Sequence, residues 1–317
     1  MDKAILIVLP VLVQLTSNQN PSLFLLNSLS IMFSHITVNM IVLVVITIIL
    51  PGPSKPYSSD AEDKIIGGND IPITKVPFVL CLATPPISPI HRPIHVCGAS
   101  IIKKHWAITA AHCVDSLNDT KDVYIRGNTS YSDGRDSHHN IHTILKLYIH
   151  NRYNTSNPYF YDIALLQVKE PFDALYEKPI PLSGDHYKYK PDTAVTTFGW
   201  GVAVVTSVTF SPTLKTANLF LLDHGTCMWL YGIWYGGSLD NRHICVGGKL
   251  NKNICIGDSG GALVQNGKLI GVASWSAGEC ANNVVPVIFV RLSKFYNWIK
   301  ERVTYRKHNA KRHFKVL

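Results

Sequence analysis

Short apolar runs cut apart by turn residues are the feature that most restricts how this chain can fold. Ala99–Ile102, Val204–Phe210 and Leu269–Ser274 are each too short for an ordinary helix, and glycine and proline crowd the stretches between such runs. With 21 glycines and 18 prolines the chain reads as all-β, built of many strands and turns. At 16% charged and 46% hydrophobic residues it resembles neither a disordered chain nor a coiled coil. A length of 317 residues fits one large globular unit or two small ones with extensions, and no internal repeat stands out.

Cysteines lie at positions 81, 97, 113, 227, 245, 255 and 280, and none forms a CxxC pair, so a zinc ribbon is not expected. Asn118-Asp119-Thr120, Asn128-Thr129-Ser130 and Asn154-Thr155-Ser156 are glycosylation acceptors, and three in one stretch favour a secretory route. The formal charge is +9, and Thr304–Leu317 holds Arg306, Lys307, Lys311, Arg312 and Lys315 with no acid. A basic end of this kind is ordinarily a solvated terminus; an anchor for anionic glycans or membranes is the alternative. No motif points to nucleic acid.

Residues 1–64 contain no cysteine and two apolar runs. Ala4–Leu15 behind Lys3 has the form of a signal peptide, and Ile31–Leu50 is long enough to span a bilayer, with Met40 opening its most apolar part. Export without an anchor is the favoured reading and a single-pass membrane protein the alternative. A proline-rich linker, Pro51–Tyr57, precedes the acidic Asp60-Ala61-Glu62-Asp63-Lys64. Strand-and-turn texture then runs to about Lys294, and Phe295, Trp298, Ile299 and Val303 recur at helical spacing. The chain therefore divides into a leader and activation segment (1–64), one domain (65–303) and a basic tail (304–317).

Gly257-Asp258-Ser259-Gly260-Gly261 carries the strongest chemical signal. An attacking serine needs a sharp turn and backbone N–H groups aimed at the developing oxyanion, and glycines allow that close approach. The serine hydroxyl needs a base. His112, after the apolar run from Trp106 and before Cys113, is the candidate. Asp162, leading Ile163-Ala164-Leu165-Leu166, is the candidate acid that would hold the imidazole tautomer and stabilise the imidazolium.

Over residues 65–303 the chain resembles the trypsin/chymotrypsin family of serine peptidases, whose triad order His…Asp…Ser it shares. The resemblance implies two six-stranded antiparallel barrels with the active site between them and a C-terminal helix. Lys64-Ile65-Ile66-Gly67-Gly68 resembles the family's activation site, where cleavage frees an α-amine that pairs with the aspartate before the nucleophile, here Asp258. That pairing would order Gly257 and Ser259 as the oxyanion hole, and His95 matches the residue that holds the aspartate in zymogens. The family's disulfides would be Cys97–Cys113, Cys227–Cys245 and Cys255–Cys280; a further common bridge would need cysteines at Val195 and Gln265. Cys81, left over in a core strand Val79–Leu82, is expected as a buried thiol.

The same resemblance places Asn253 at the base of the primary pocket, with Ser274, Trp275, Ser276 and Val287 along its walls. A neutral amide replaces the aspartate of trypsin-like members, Ser276 replaces a usual glycine, and Val287 puts a branched side chain where open pockets have glycine. Cleavage after small or medium apolar residues, elastase-like, is the expectation, with a deep chymotrypsin-like pocket as runner-up. Polypeptide substrates, an activating trypsin-like protease and protein inhibitors are the implied partners, and a monomer the implied state. No cofactor and no metal is expected; Asp133 and Asp136 fall in the region of the family's calcium loop without a convincing pair of glutamates. A catalytically dead homologue acting as a binding protein is the other functional reading.

Overall fold

The computed structural model describes residues 68–85, 93–117, 119–136, 139–201, 209–235, 239–247, 258–276 and 286–304. Both apolar runs of the leader, Lys64, Ile65 and the basic tail lie outside them, as do Asn118, Asn253, Cys255, Gly257 and Cys280. Among the described residues, no helix is long and apolar enough to cross a membrane.

Among the described residues, fourteen strands form two antiparallel sheets. In the first, β2 (Val79–Thr84), β3 (Ile94–Lys103), β4 (Trp106–Thr109), β5 (Tyr124–Gly127), β6 (Asn140–His142), β7 (Ile144–Ile149) and β8 (Ala164–Val168) run in the order β6-β5-β2-β3-β4-β8-β7. Strands β6 and β7 are one strand broken at Thr143: β6 pairs with β5 and β7 with β8, so chain continuity closes the ring. The break is held by Thr143 N–H on the Glu170 carboxylate (3.1 Å) and by Lys169 N–H on the Thr143 carbonyl (3.0 Å). Taking β6 and β7 as one gives the expected six strands.

The second sheet contains β9 (Ala194–Gly199), β10 (Lys215–Leu221), β11 (His243–Gly247), β12 (Ala262–Gln265), β13 (Lys268–Ser276) and β14 (Val287–Arg291). Pairing of β9 with both β10 and β12 closes it, and the two-residue β1 (Asn69–Asp70) adds alongside β10. Alternation along β10 is regular: Lys215, Ala217, Leu219 and Leu221 are buried, with Thr216, Asn218 and Phe220 less so, the period-two pattern of a strand with one covered face. By contrast β14 is buried on both faces. Val287 and Phe289 join Leu219, Leu263 and Ile270, while Ile288 joins Tyr231 and Cys245, which is why its sequence is a continuous apolar run.

Two α-helices lie among the described residues. The C-terminal α2 (Tyr296–Thr304) follows the expected spacing, with Ile299 and the preceding Phe295 buried and Trp298 and Val303 partly so. The other, α1 (His224–Tyr235), is absent from the sequence reading because Gly225 and Gly232 give it the glycine-broken texture of the strands. Its one readable signal is Asp223, whose carboxylate accepts the Thr226 N–H (2.9 Å) as an N-cap. Cys227 ties this helix to Cys245 of β11, and Cys97 of β3 is joined to Cys113. In place of a bridge between positions 195 and 265, Val195 packs in the second core, and the Gln265 amide donates to the Ala194 carbonyl and Thr193 hydroxyl, each at 2.9 Å.

Candidate active site

The candidate base is set by a short turn. His112 sits in the one-turn helix Ala111–Cys113 directly after β4, and the Cys97–Cys113 disulfide pins that turn to β3. Asp162, 1% exposed, lies just before β8. Its carboxylate accepts the His112 backbone N–H on one oxygen (2.9 Å) and lies 2.8 Å from His112 Nδ1 with the other. That second contact assigns the proton of a neutral His112 to Nδ1 and leaves Nε2, 3.8 Å from Cys113 Sγ, unprotonated. Ser274, expected only as a pocket wall, also donates its hydroxyl to Asp162 (2.5 Å). Three donors thus converge on this one buried carboxylate. Burial opposes charge on His112, but the hydrogen bond and charge of Asp162, with Asp115 behind, outweigh it and raise the imidazole above its usual value.

The surroundings of Ser259, the candidate nucleophile, are set by glycines. The Ser259 carbonyl accepts the Gly98 N–H (2.8 Å), so β3 of the first barrel touches the nucleophile turn of the second, backbone to backbone. Gly260 has φ +76°, and a Cβ there would lie 2.3 Å from the Gly98 carbonyl oxygen; a Cβ on Gly98 would lie 2.9 Å from Gly261 Cα. Only residues without side chains fit this junction. Gly98 was not singled out from sequence, since nothing local to it signals a partner so far along the chain.

Asp258, 1% exposed, accepts the Gly201 N–H at 2.9 Å. A Cβ on Gly199 or Gly201 would fall 2.0 or 2.3 Å from its carboxylate oxygens, so these two glycines form its cradle. His95 is buried and packs against Trp200 at a tilt and against Phe210 edge-on, both in the second half. Cys81 is buried and unbridged, as expected of a core thiol, yet its surroundings are polar: His95 Nδ1 at 3.0 Å and Arg126 Nη2 at 3.3 Å. Burial works against ionisation of this thiol, but His95 and Arg126 lower it below its ordinary value.

Of the residues expected at the pocket, Trp275 packs on Tyr231 and Tyr159, with ring centroids at 4.8 and 4.3 Å. Ser276 faces Val287 across the β13–β14 pair, and Val287 is buried beside Ala273 and Phe289. Asn154 is exposed, whereas Asn128 is half-buried with its neighbour Thr129 bonded to Asp136 (2.9 Å). Sulfur and nitrogen atoms of Cys97, His112 and Cys113 cluster, but the disulfide removes both thiolates that a metal would need. Asp133 is engaged by Arg135 (2.8 Å) and Asp136 by Thr129.

Two closed barrels, with a carboxylate-held histidine on one and a serine in a glycine-lined turn on the other, are the architecture of a two-barrel serine hydrolase. The Trypsin family model matches residues 65–299, and the chain belongs to that family. It is 30% identical over 266 residues to a trypsin of Phaedon cochleariae, covering 82% of this chain and 96% of that protein. It is 31% identical over 219 residues to kallikrein 1-related peptidase b1 of Mus musculus, covering 65% and 80%. Neuropsin, a serine protease of mouse brain, shares the fold at a TM-score of 0.63 and 23% identity, over 76% of this chain and 99% of that one. The protein is a serine endopeptidase.

Proposed function

We propose that His112, Asp162 and Ser259 are the catalytic triad of an exported endopeptidase that becomes active on cleavage after Lys64. The observation that carries this reading is the grip of the buried Asp162 on both the backbone and the ring of His112. With Nδ1–H held, Nε2 accepts the Ser259 proton as the hydroxyl attacks the scissile carbonyl, and Asp162 stabilises the resulting imidazolium. The N–H groups of Gly257 and Ser259 receive the oxyanion, His112 returns the proton to the leaving amine, and water repeats the sequence on the acyl-enzyme. Replacing Ser259 by alanine is expected to abolish turnover of a small apolar peptide ester by the processed enzyme. Unchanged turnover would move the nucleophile elsewhere.

The peptidase domain spans 65–303, with 1–64 removed on export and activation. The tight glycine cradle around Asp258 supports a role for that carboxylate as the receptor of the new Ile65 amine. Cleavage falls after small or medium apolar residues: Asn253 offers no negative charge, and the buried Val287 opposite Ser276 supports a narrow pocket. Polypeptides are the substrates and protein protease inhibitors the natural antagonists. Such a pocket does not accept Lys64, so a trypsin-like enzyme activates the zymogen. Purified zymogen incubated alone should stay intact at Lys64, and clean self-cleavage there would refute this. Asn154 is the best exposed of the described glycosylation acceptors.

A further inference from the structure

Among the described residues, four other than glycine adopt positive φ: Asn128, Tyr161, Asp192 and Asn266. Asparagine and aspartate tolerate this region through local hydrogen bonds; a tyrosine has no such compensation. Tyr161, at φ 57°, immediately precedes Asp162. Its carbonyl accepts the Ile163 N–H at 2.7 Å, so Asp162 is the middle residue of a three-residue turn. Backbone strain of this kind persists only where the surroundings over-determine it.

The surroundings of Tyr161 come from both barrels. On one side the His150 ring is stacked at 4.9 Å and 17°, and the His150 N–H donates to the Ile163 carbonyl (3.1 Å). The Arg242 guanidinium stands 4.0 Å from the tyrosine ring centroid, itself anchored by a two-pronged pair with Asp240. Phe295 meets the ring edge-on at 6.1 Å, and Arg152 donates to the phenolic oxygen (3.2 Å). Burial, with Arg302, Arg152 and Arg242 nearby, pushes His150 down to about 4, so the stacked imidazole is uncharged at neutral pH. Next along the chain, the Tyr159 carbonyl lies 3.0 Å from His243 Nε2, and Arg242 also covers Phe160 (4.9 Å).

We infer that Tyr161 is a positioning residue for the reaction: clamped between His150 of the first barrel and Arg242 of the second, it holds the strained turn that aims Asp162 at His112. The inference rests on the triad reading above. It separates two requirements, a left-handed backbone at position 161 and a clamp that spans the barrels. Asparagine meets the first without the clamp; valine meets neither.

The test uses processed enzyme and the variants Tyr161→Val, Tyr161→Asn and Arg242→Met, assayed for kcat, KM and the kcat–pH profile. Tyr161→Val should lower kcat by about 100-fold, the scale of an ångström-level misplacement, with KM nearly unchanged. Its acid limb should move down toward the ordinary histidine value, because a displaced carboxylate no longer supports the imidazolium. Tyr161→Asn should restore kcat to within about threefold of the parent, a factor worth under 1 kcal/mol. Arg242→Met should fall between, at about tenfold, the scale of a cation–π contact of 1 kcal/mol or more, and it decides the matter should the valine variant not fold. Parental kcat and pH limb in both Tyr161→Val and Arg242→Met overturn the inference, as does a rise in KM alone. Ser259→Ala is run in the same assay: turnover retained there overturns the triad, whereas turnover lost there with parental Tyr161 and Arg242 variants overturns only the positioning role.

Discussion

The two halves of the site are held by opposite means. The base half, His112 and Asp162, is held by side-chain bonds: two contacts between the pair, a hydroxyl from Ser274, and a disulfide under the histidine turn. The nucleophile half is held by the lack of side chains. Gly98, Gly260 and Gly261 let two backbones meet, and Gly199 and Gly201 make room for the Asp258 carboxylate. A bonded half weakens one bond at a time, while a half built on close approach fails sterically. The half built on close approach also contains the residue through which proteolytic activation is proposed to act, and local geometry there tolerates only one backbone path.

Breaking the base half at its centre should have the largest effect. Asp162→Asn keeps the shape but can present its amide N–H to Nδ1, favouring the wrong tautomer, and kcat should drop by about 10⁴, measured on processed enzyme with an apolar ester. Gly260→Ala attacks the other half. Its Cβ would sit 2.3 Å from the Gly98 carbonyl at φ +76°, and an ångström-level shift of Ser259 should cost about 100-fold in kcat. Thr109→Ala, which removes the nearby hydroxyl but leaves the backbone clash, should not rescue it; rescue would mean that the side chain alone was the obstacle. Ser274→Ala removes a single donor to a buried carboxylate, about 1.5 kcal/mol, and should lower kcat by roughly tenfold with little change in KM.

The smallest expected effect is on pH dependence. His112 is raised in the folded enzyme and must be neutral to act as a base, so the acid limb of kcat should centre above 6.5 and fall back in Asp162→Asn. For stability the sign is opposite: the His112–Asp162 pairing contributes fully below 6.5 and is lost as pH rises through the raised value. Denaturant midpoints of parent and Asp162→Asn should therefore converge as pH rises past that window. A constant gap would mean that Asp162 acts on stability through its neutral hydrogen bonds alone.

Much of the fold was legible because strands advertise themselves locally. The run Val79–Leu82 and the spacing of Phe295, Ile299 and Val303 translate directly into β2 and α2. Helix α1 was not, because Gly225 and Gly232 interrupt its pattern while its stability comes from burial of Tyr231 and from a disulfide. Likewise the break at Thr143 closes the first barrel through a carboxylate many residues later, at Glu170.

By itself the sequence determined the candidate reagents: a serine between glycines, a histidine behind an apolar strand and an aspartate leading another. These are properties of short stretches, since turn, strand and nucleophile chemistry depend on neighbours in the chain. Tertiary structure alone decided how the reagents are aimed. Ser274 on Asp162, Gly98 against Ser259, and Tyr161 against Arg242 join residues separated by 112, 161 and 81 positions. No local rule links such residues, because only closure of the two barrels brings their backbones within reach.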